Sequence, residues 1–335
     1  MEQLPLLELA FGHIPARVLH VAAELGVADV LAEGPLGYAE VAERTGTDPA
    51  VLRRLLRALA GLGAVTQLDG ERFELTETGG QLRAEASDSI RDHVLLHAVP
   101  EVWGAWGQLG QTVRTGEPAR QPDTGLTASE FILRHPDLSA TFHAAMAHGS
   151  RGLAPDIIRA CGFTRFHTVA DLGGGDGTLL AAALAAVPDL RGVLYEQPTM
   201  VQTAAATFRA AGVADRCEVV AGDFFECVPP GADAYVLKNV IHEWDDERSV
   251  ALLHNCRTAM ASQDRVFLVE AVMPPVITPS SSLHALGDLN MLVWTGGRER
   301  TEDDFRRLLD AAGLTVTAST EVVPGYQAIE AATAA

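Results

Sequence analysis

The chain has little that would direct it to nucleic acid, to a membrane or to an oxidising compartment. Basic residues are scarce: 25 Lys and Arg stand against 44 Asp and Glu, a formal charge of −19 across 335 residues. Such a chain repels nucleic acid phosphates and anionic membranes unless its cations are segregated. The densest basic group, Arg53-Arg54 with Arg57, has helical spacing and reads as a solvated helix face. The cysteines, Cys161, Cys217, Cys227 and Cys256, are scattered without a C-x-x-C pair, so no metal or redox motif of that kind is present. Reduced, buried thiols in a cytoplasmic protein are the expectation. No apolar run is long enough to span a bilayer. The start, Met1-Glu2-Gln3-Leu4, lacks the charged region and apolar core of a signal peptide. Apolar residues, by contrast, make up 47% of the chain, enough for sizeable cores, and the length predicts two domains.

The most informative stretch is Phe166–Leu180, FHTVADLGGGDGTLL. A short apolar run ends in Asp171, glycines follow at 173, 174, 175 and 177, and Leu179–Val187 should be helix. Strand, glycine turn and helix open nucleotide sites in doubly wound sheets. Yet Thr178 stands where the dinucleotide fingerprint has its third glycine, and Asp171 and Asp176 flank the loop. A pyrophosphate wants bare N–H groups and positive charge. The ligand expected here carries cations or donors instead, as S-adenosylmethionine (SAM) does with its amino group, sulfonium, ribose hydroxyls and adenine amine.

Upstream, Leu4–Leu31 is expected to be helical and interrupted at Pro15, and Val18–Leu31 is apolar on enough faces to be covered by a second subunit. Helix Tyr38–Thr45, turn Gly46–Pro49 with Asp48 as cap, helix Ala50–Gly61, and a hairpin around Asp69-Gly70-Glu71 make a winged-helix order. That order raises DNA binding as a rival function. Residues 87–151 are expected to be mostly helical, with a break around 115–125 and a helix from about Ala128. Strand and helix then alternate, with strands at Thr168–Asp171, Gly192–Glu196, Cys217–Ala221, Ala234–Leu237 and Arg265–Glu270. A late hairpin of Leu314–Glu321 with Gln327–Ala331 completes the sheet, and Ala331–Ala335 are expected to fray. The domains expected are residues 1–100, a helical connector 101–165 contributing to the substrate pocket, and 166–335.

Four strands finish on or near a carboxylate: Asp171, Glu196, Asp223 and Glu270. Ligands of open α/β sheets bind outside the carboxyl ends of strands, so these acids belong on one rim. Glu196 lies at the distance from the glycine loop expected of a ribose-binding acid, and a carboxylate can accept both hydroxyls. Asp223 can accept from an adenine amine and Phe224 can offer a ring face. Beyond the strand Ala234–Leu237 comes His242, a candidate general base, with Glu270 and Glu299 as candidate orienters. Metal binding by His242 with Glu243, Asp245 and Asp246 is the rival use. No second His stands at H-x-x-x-H spacing from His242, so no metal is expected.

Asp171–Gly177, Tyr195-Glu196-Gln197-Pro198, Gly222-Asp223-Phe224-Phe225, Leu237–Asp245, Val269–Pro274 and Gly296–Thr301 together resemble the ordered motifs of the SAM-dependent small-molecule O-methyltransferases. These are the caffeate and flavonoid type, with bacterial members that tailor aromatic polyketides. The resemblance implies a C-terminal Rossmann-like class I methyltransferase domain and an N-terminal, mostly helical winged-helix dimerisation domain. Gly173 and Gly175 would line the methionine end and Ser150 the carboxylate. Glu196 with Gln197 would hold ribose, and Gly222, Asp223, Phe224 and Trp244 the adenine, with Lys238 and Asn239 alongside. His242 would be the base, flanked by Glu270 and Glu299, and SAM would leave as S-adenosylhomocysteine. Asn239 replaces a Trp of many plant members, and the segment before Gly296 is about one residue shorter. Plant substrates therefore do not transfer. Met146, His148, Met291 and Trp294 are the expected contacts to an aromatic substrate. The same scaffold with different chemistry (N-methylation, hydroxylation, decarboxylation) is the alternative, and a DNA-binding regulator the more distant one.

Overall fold

The structure, a computed structural model, describes residues 6–334. The chain divides into two compact units. One holds the residues through Gly104 together with Phe131–His148, and the other holds Ala105–Glu130 together with Gly149 to the end. The stretch 101–165 is thus shared between the units.

In the first unit the start of the chain forms three helices, Leu6–Ala10, His13–Glu24 and Val27–Leu31. Leu4, the expected start, lies outside the described residues. The break falls at Phe11-Gly12 and not at Pro15, because Pro15 sits in the first turn of its helix, where no N–H is needed. A second break comes at Gly26, whose φ of 66° is left-handed. The helix Tyr38–Thr45 follows β1 (Leu36–Gly37). Asp48 caps the helix Pro49–Gly61 by accepting from the Val51 N–H. The hairpin is β2 (Val65–Leu68) and β3 (Arg72–Leu75), with β1 added on the far side of β3. Leu52, Leu56 and Leu59 of the capped helix pack with Val27, Leu31, Val41 and Phe73 in this unit's core, as the helical spacing requires.

In the second unit the strands are β4 (Thr168–Leu172), β5 (Arg191–Glu196), β6 (Cys217–Ala221), β7 (Ala234–Lys238), β8 (Arg265–Met273), β9 (Arg300–Thr301), β10 (Leu314–Val323) and β11 (Tyr326–Thr333). Their order is β10-β11-β8-β7-β4-β5-β6, with β9 pairing β8. β4 pairs in parallel with both β5 and β7. The order therefore reverses beside β4, which places a crevice at the carboxyl ends of these strands. The final hairpin is antiparallel and pairs Leu314 with Thr333, so residues 331–333 are strand and not a frayed end. Helix Ala128–Arg134 ends before a separate helix, Pro136–Cys161, which belongs to the first unit up to His148. Both faces of the sheet are covered by apolar clusters, which is why these strands read as nearly continuous hydrophobic runs.

Candidate active site

The glycine loop after β4 is shaped by sterics. Gly173, Gly175 and Gly177 have φ of 71°, 61° and 77°, a region that costs little only for glycine. A Cβ on Gly174 would run into the Asp171 carboxylate, and one on Gly177 into the Phe208 ring. Glu196, at the end of β5, ties the loop down: its Oε2 accepts from the Gly175 N–H at 2.9 Å and its Oε1 from the Gln197 N–H at 2.7 Å. A carboxylate has further lone pairs for ribose hydroxyls. Burial holds the Glu196 carboxyl above its usual range, against these two backbone donors.

Asp171 is buried at 2% exposure, and neither carboxylate oxygen has a hydrogen-bond partner among the described residues. Burial pushes its pKa up to about 7, with the Lys238 ammonium opposing and Glu196 and Asp176 adding to the rise. A buried acceptor without a donor is costly. A ligand bringing an ammonium or several donors would satisfy it. The neighbouring Lys238 donates from Nζ to Ser150 Oγ at 3.0 Å, which joins two residues distant in sequence. Its pKa is lowered by burial, against Asp171, Glu270 and Asp176.

On the β6 side, Asp223 is exposed and accepts from the Phe225 N–H at 2.8 Å. Phe224 and Phe225 meet edge to face with centroids 4.9 Å apart. Trp244 stands 4.9 Å from Phe225 at 88°, under the Arg248 guanidinium at 4.0 Å. Its buried Nε1 has no hydrogen-bond partner among the described residues. Gly222 is required because a Cβ there would enter the Tyr195 ring. This half of the crevice is a partly buried aromatic corner with one exposed carboxylate, suited to a flat base with an exocyclic amine.

His242 occupies a single 3₁₀ turn, Ile241–Glu243, just past β7. Its Nδ1 lies 3.1 Å from Glu299 Oε1 and 3.7 Å from Glu270 Oε2. Glu270 sits within β8 and is fully buried. Its Oε1 accepts from the Val240 and Ile241 N–H groups at 3.0 and 2.9 Å, so it fixes the turn and faces the ring together. The Glu299 acceptor on Nδ1, with the Glu270 carboxylate beside it, favours in the neutral ring the tautomer protonated there and leaves Nε2 as the acceptor. Burial disfavours the charged ring, but Glu270, Glu299 and Glu243 overcome it and raise the His242 pKa to about 9. Burial raises that of Glu270 to about 7, with His242 opposing.

The expected cofactor and catalytic residues all lie in the second unit. Met146 and His148 belong to the first unit, where His148 neighbours His93. Met291 is half-buried on the helix Ser282–Trp294, and Trp294 is buried. Asn239 has a left-handed φ of 54°, and its side-chain oxygen accepts from the Tyr326 hydroxyl. Sequence reasoning gave no role to Tyr326 or Arg300, and to Glu243 only the rival one of metal binding. Arg300 and Glu243 stood in quoted motifs, and Tyr326 did not. Among the described residues no group of three or more His, Cys, Asp or Glu is placed to hold a metal ion.

The family model for the O-methyltransferase domain matches residues 106–315, and that for the O-methyltransferase dimerisation domain matches residues 7–82. The chain belongs to the O-methyltransferase family. It is 36% identical to the phenazine O-methyltransferase PhzM of Lysobacter antibioticus over 97% of this chain and 95% of that protein. It is 39% identical to the O-demethylpuromycin-O-methyltransferase of Streptomyces alboniger over 93% and 84%. An 8-amino-8-demethylriboflavin N,N-dimethyltransferase of Streptomyces davaonensis is 38% identical over 90% and 87%. Among solved structures, LaPhzM superposes with a TM-score of 0.92 at 36% identity, covering 98% of both chains. The O-methyltransferase NcsB1 from neocarzinostatin biosynthesis, solved with SAM and 2-hydroxy-5-methyl naphthoic acid, superposes at 0.83 with 33% identity over the whole of both chains. The Rossmann-like methyltransferase domain with an N-terminal dimerisation domain is thus the fold of this O-methyltransferase.

Proposed function

We propose that this O-methyltransferase moves the methyl group of SAM to a hydroxyl of an aromatic secondary metabolite, with His242 as general base and without a metal ion. The observation that carries this reading is the His242 ring with Nδ1 between two buried carboxylates and Nε2 left to accept a proton. A phenol has a pKa of about 10. An imidazole raised to about 9 is nearly matched to it, so proton transfer is close to thermoneutral.

The crevice fits SAM on its own chemistry. Asp171 would take the methionine amino group, Glu196 the ribose, and the Asp223, Phe224 and Trp244 corner the adenine. Bound there, SAM supplies an activated methyl group on a sulfonium. The protein's part is to hold the acceptor hydroxyl toward Nε2, take its proton as the new O–C bond forms and the C–S bond breaks, and stabilise the imidazolium through Glu270 and Glu299. Holding two reactants in line supplies much of the rate. Met291 and Trp294 are proposed acceptor contacts.

The N,N-dimethyltransferase relative keeps amine acceptors as a second reading. An aromatic amine attacks through its lone pair before losing a proton, so a raised base favours the hydroxyl. Exposed Leu7 and Ile14 on the first two helices, and Phe11 between them, support a homodimer through the dimerisation domain. The surplus of acids argues against nucleic acid as partner. No helix among the described residues is long and apolar enough to cross a membrane. The four free thiols support a cytoplasmic location, although only Cys161 and Cys256 are buried as expected and Cys227 is exposed.

A mass-shift screen with SAM and chelator tests the proposal, offering hydroxylated phenazines, naphthoates and their amino analogues as acceptors. A gain of one methyl on the hydroxyl compounds is expected. Transfer only to the amines, or only after a divalent metal is restored, would overturn it.

A further inference from the structure

His242 and Glu299 come from separate segments, the turn after β7 and the residues before β9. β9 is two residues long and among the described residues pairs only with the end of β8, so sheet pairing alone fixes this register weakly. The segment is held instead by contacts to the carbonyls of the His242 turn. The Arg298 N–H donates to the His242 carbonyl at 2.9 Å, and Gly297 is packed so closely that a Cβ would strike the same carbonyl.

Arg300 makes the rest of the grip. Its side chain is fully buried. Nη1 donates to the Ile241 carbonyl at 2.9 Å, and Nη2 to the Trp244 carbonyl at 2.8 Å. Nη2 and Nε both reach Asp246 Oδ1, at 2.7 and 3.1 Å. Nη2 also lies 3.4 Å from Ser249 Oγ. A guanidinium keeps its charge and offers donors in a rigid planar fork. Buried with acceptors on both sides of His242, it fixes that turn against the backbone that carries Glu299. Glu299 is held from the other side too, since its N–H donates to Asp288 Oδ1 at 2.9 Å.

We infer that Arg300 is the positioning residue that sets the distance between His242 and Glu299, and so tunes the base without touching either reactant. The inference rests on the proposed role of His242. The charged groups facing the ring are Glu270 from β8, Glu299 from the segment before β9, and Glu243 on its own turn. Only Glu299 depends on the Arg300 grip, because Glu270 is anchored by the Val240 and Ile241 N–H groups. Lysine keeps the charge but is a point donor that cannot span the two carbonyls and Asp246 together.

The test is an NMR titration of the His242 ring in the full-length wild type, Arg300→Lys and Asp246→Asn, with melting temperature and kcat measured on the same samples. Asp246 is more than half exposed on its side chain, so its substitution loosens the grip from the solvent side and guards against a variant that does not fold. The His242 midpoint should fall in both variants, by roughly one pH unit for Arg300→Lys. In that variant kcat at pH 9 should fall about ten- to a hundredfold, with KM for SAM unchanged. Lower melting temperatures with unmoved His242 midpoints in both variants would overturn the inference and leave Arg300 a packing residue. If the wild type methylates no hydroxyl acceptor, the proposed function fails, while the titration still reads whether Arg300 sets the His242–Glu299 pair.

Discussion

Glu299→Gln should move the pH dependence of turnover rather than merely lower it. His242 is raised from 6.5 to about 9, which corresponds to about 3 kcal/mol of preference for the imidazolium. Two carboxylates face Nδ1, and Glu299 is the nearer, at 3.1 Å against 3.7 Å. Neutralising it should remove roughly half of that preference, so the midpoint should fall by about one unit. The sign follows from the role. A base works when deprotonated, so activity rises with pH through the His242 pKa. At pH 7 about one ring in a hundred is free in the wild type and about one in ten in the variant. The variant's ring is the weaker base, and it loses the contact that orients it. The two pH profiles should therefore converge toward pH 7 and separate above pH 8, with the wild type faster by about tenfold at the top. Single-turnover transfer to an acceptor with phenolic pKa near 10, measured from about pH 6 to 9.5, reads this directly. A constant-factor loss at every pH, with an unmoved midpoint, would refute the electrostatic coupling of Glu299 to His242.

Asp171→Asn should raise the melting temperature of the ligand-free protein at pH 8 while abolishing tight SAM binding by calorimetry. Its pKa is raised from 3.8 to about 7, so the stability tied to its neutral form is fully present below 3.8 and is lost as pH rises through 7; a lower melting temperature at pH 8 would contradict this. Gly297→Ala should displace the His242 turn and cost about a hundredfold in turnover, with SAM affinity retained. Unchanged kcat would show that the close approach is dispensable. Phe11→Glu with Ile14→Glu should give a monomer by sedimentation at micromolar concentration, and a persisting dimer would place the interface elsewhere.

Much of the second unit was legible because its signals are local. The alternation of apolar strands with glycine and acid at their ends located β4, β5 and β7 within one residue and β6 to the residue, while β8 runs three residues past the expected end at Glu270. Asp48 and Pro49 announced the start of their helix, since cap and first-turn proline act within a few residues. The helix breaks near Phe11 and Gly26 were less visible. Pro15 is the stronger breaker by residue type, yet at the third position of a helix its missing N–H has no consequence. The site was legible only as a set of residue types. That Glu270 serves the Val240 and Ile241 N–H groups, that Lys238 reaches Ser150, and that Arg300 spans three carbonyl and carboxylate partners depend on tertiary contacts between segments far apart in the chain. So does the raised pKa of His242, since an isolated imidazole would titrate near 6.5.

The central claim is that His242 removes the acceptor's proton while other residues hold SAM. Single-turnover methyl transfer and SAM affinity should be measured on one folded sample of His242→Ala beside the wild type. SAM affinity should stay nearly unchanged, and transfer should fall by about a hundred- to ten-thousand-fold, with partial recovery at high pH as the phenolate forms in solution. A variant that loses SAM affinity and melting temperature together, while transfer per folded molecule survives, would contradict the account.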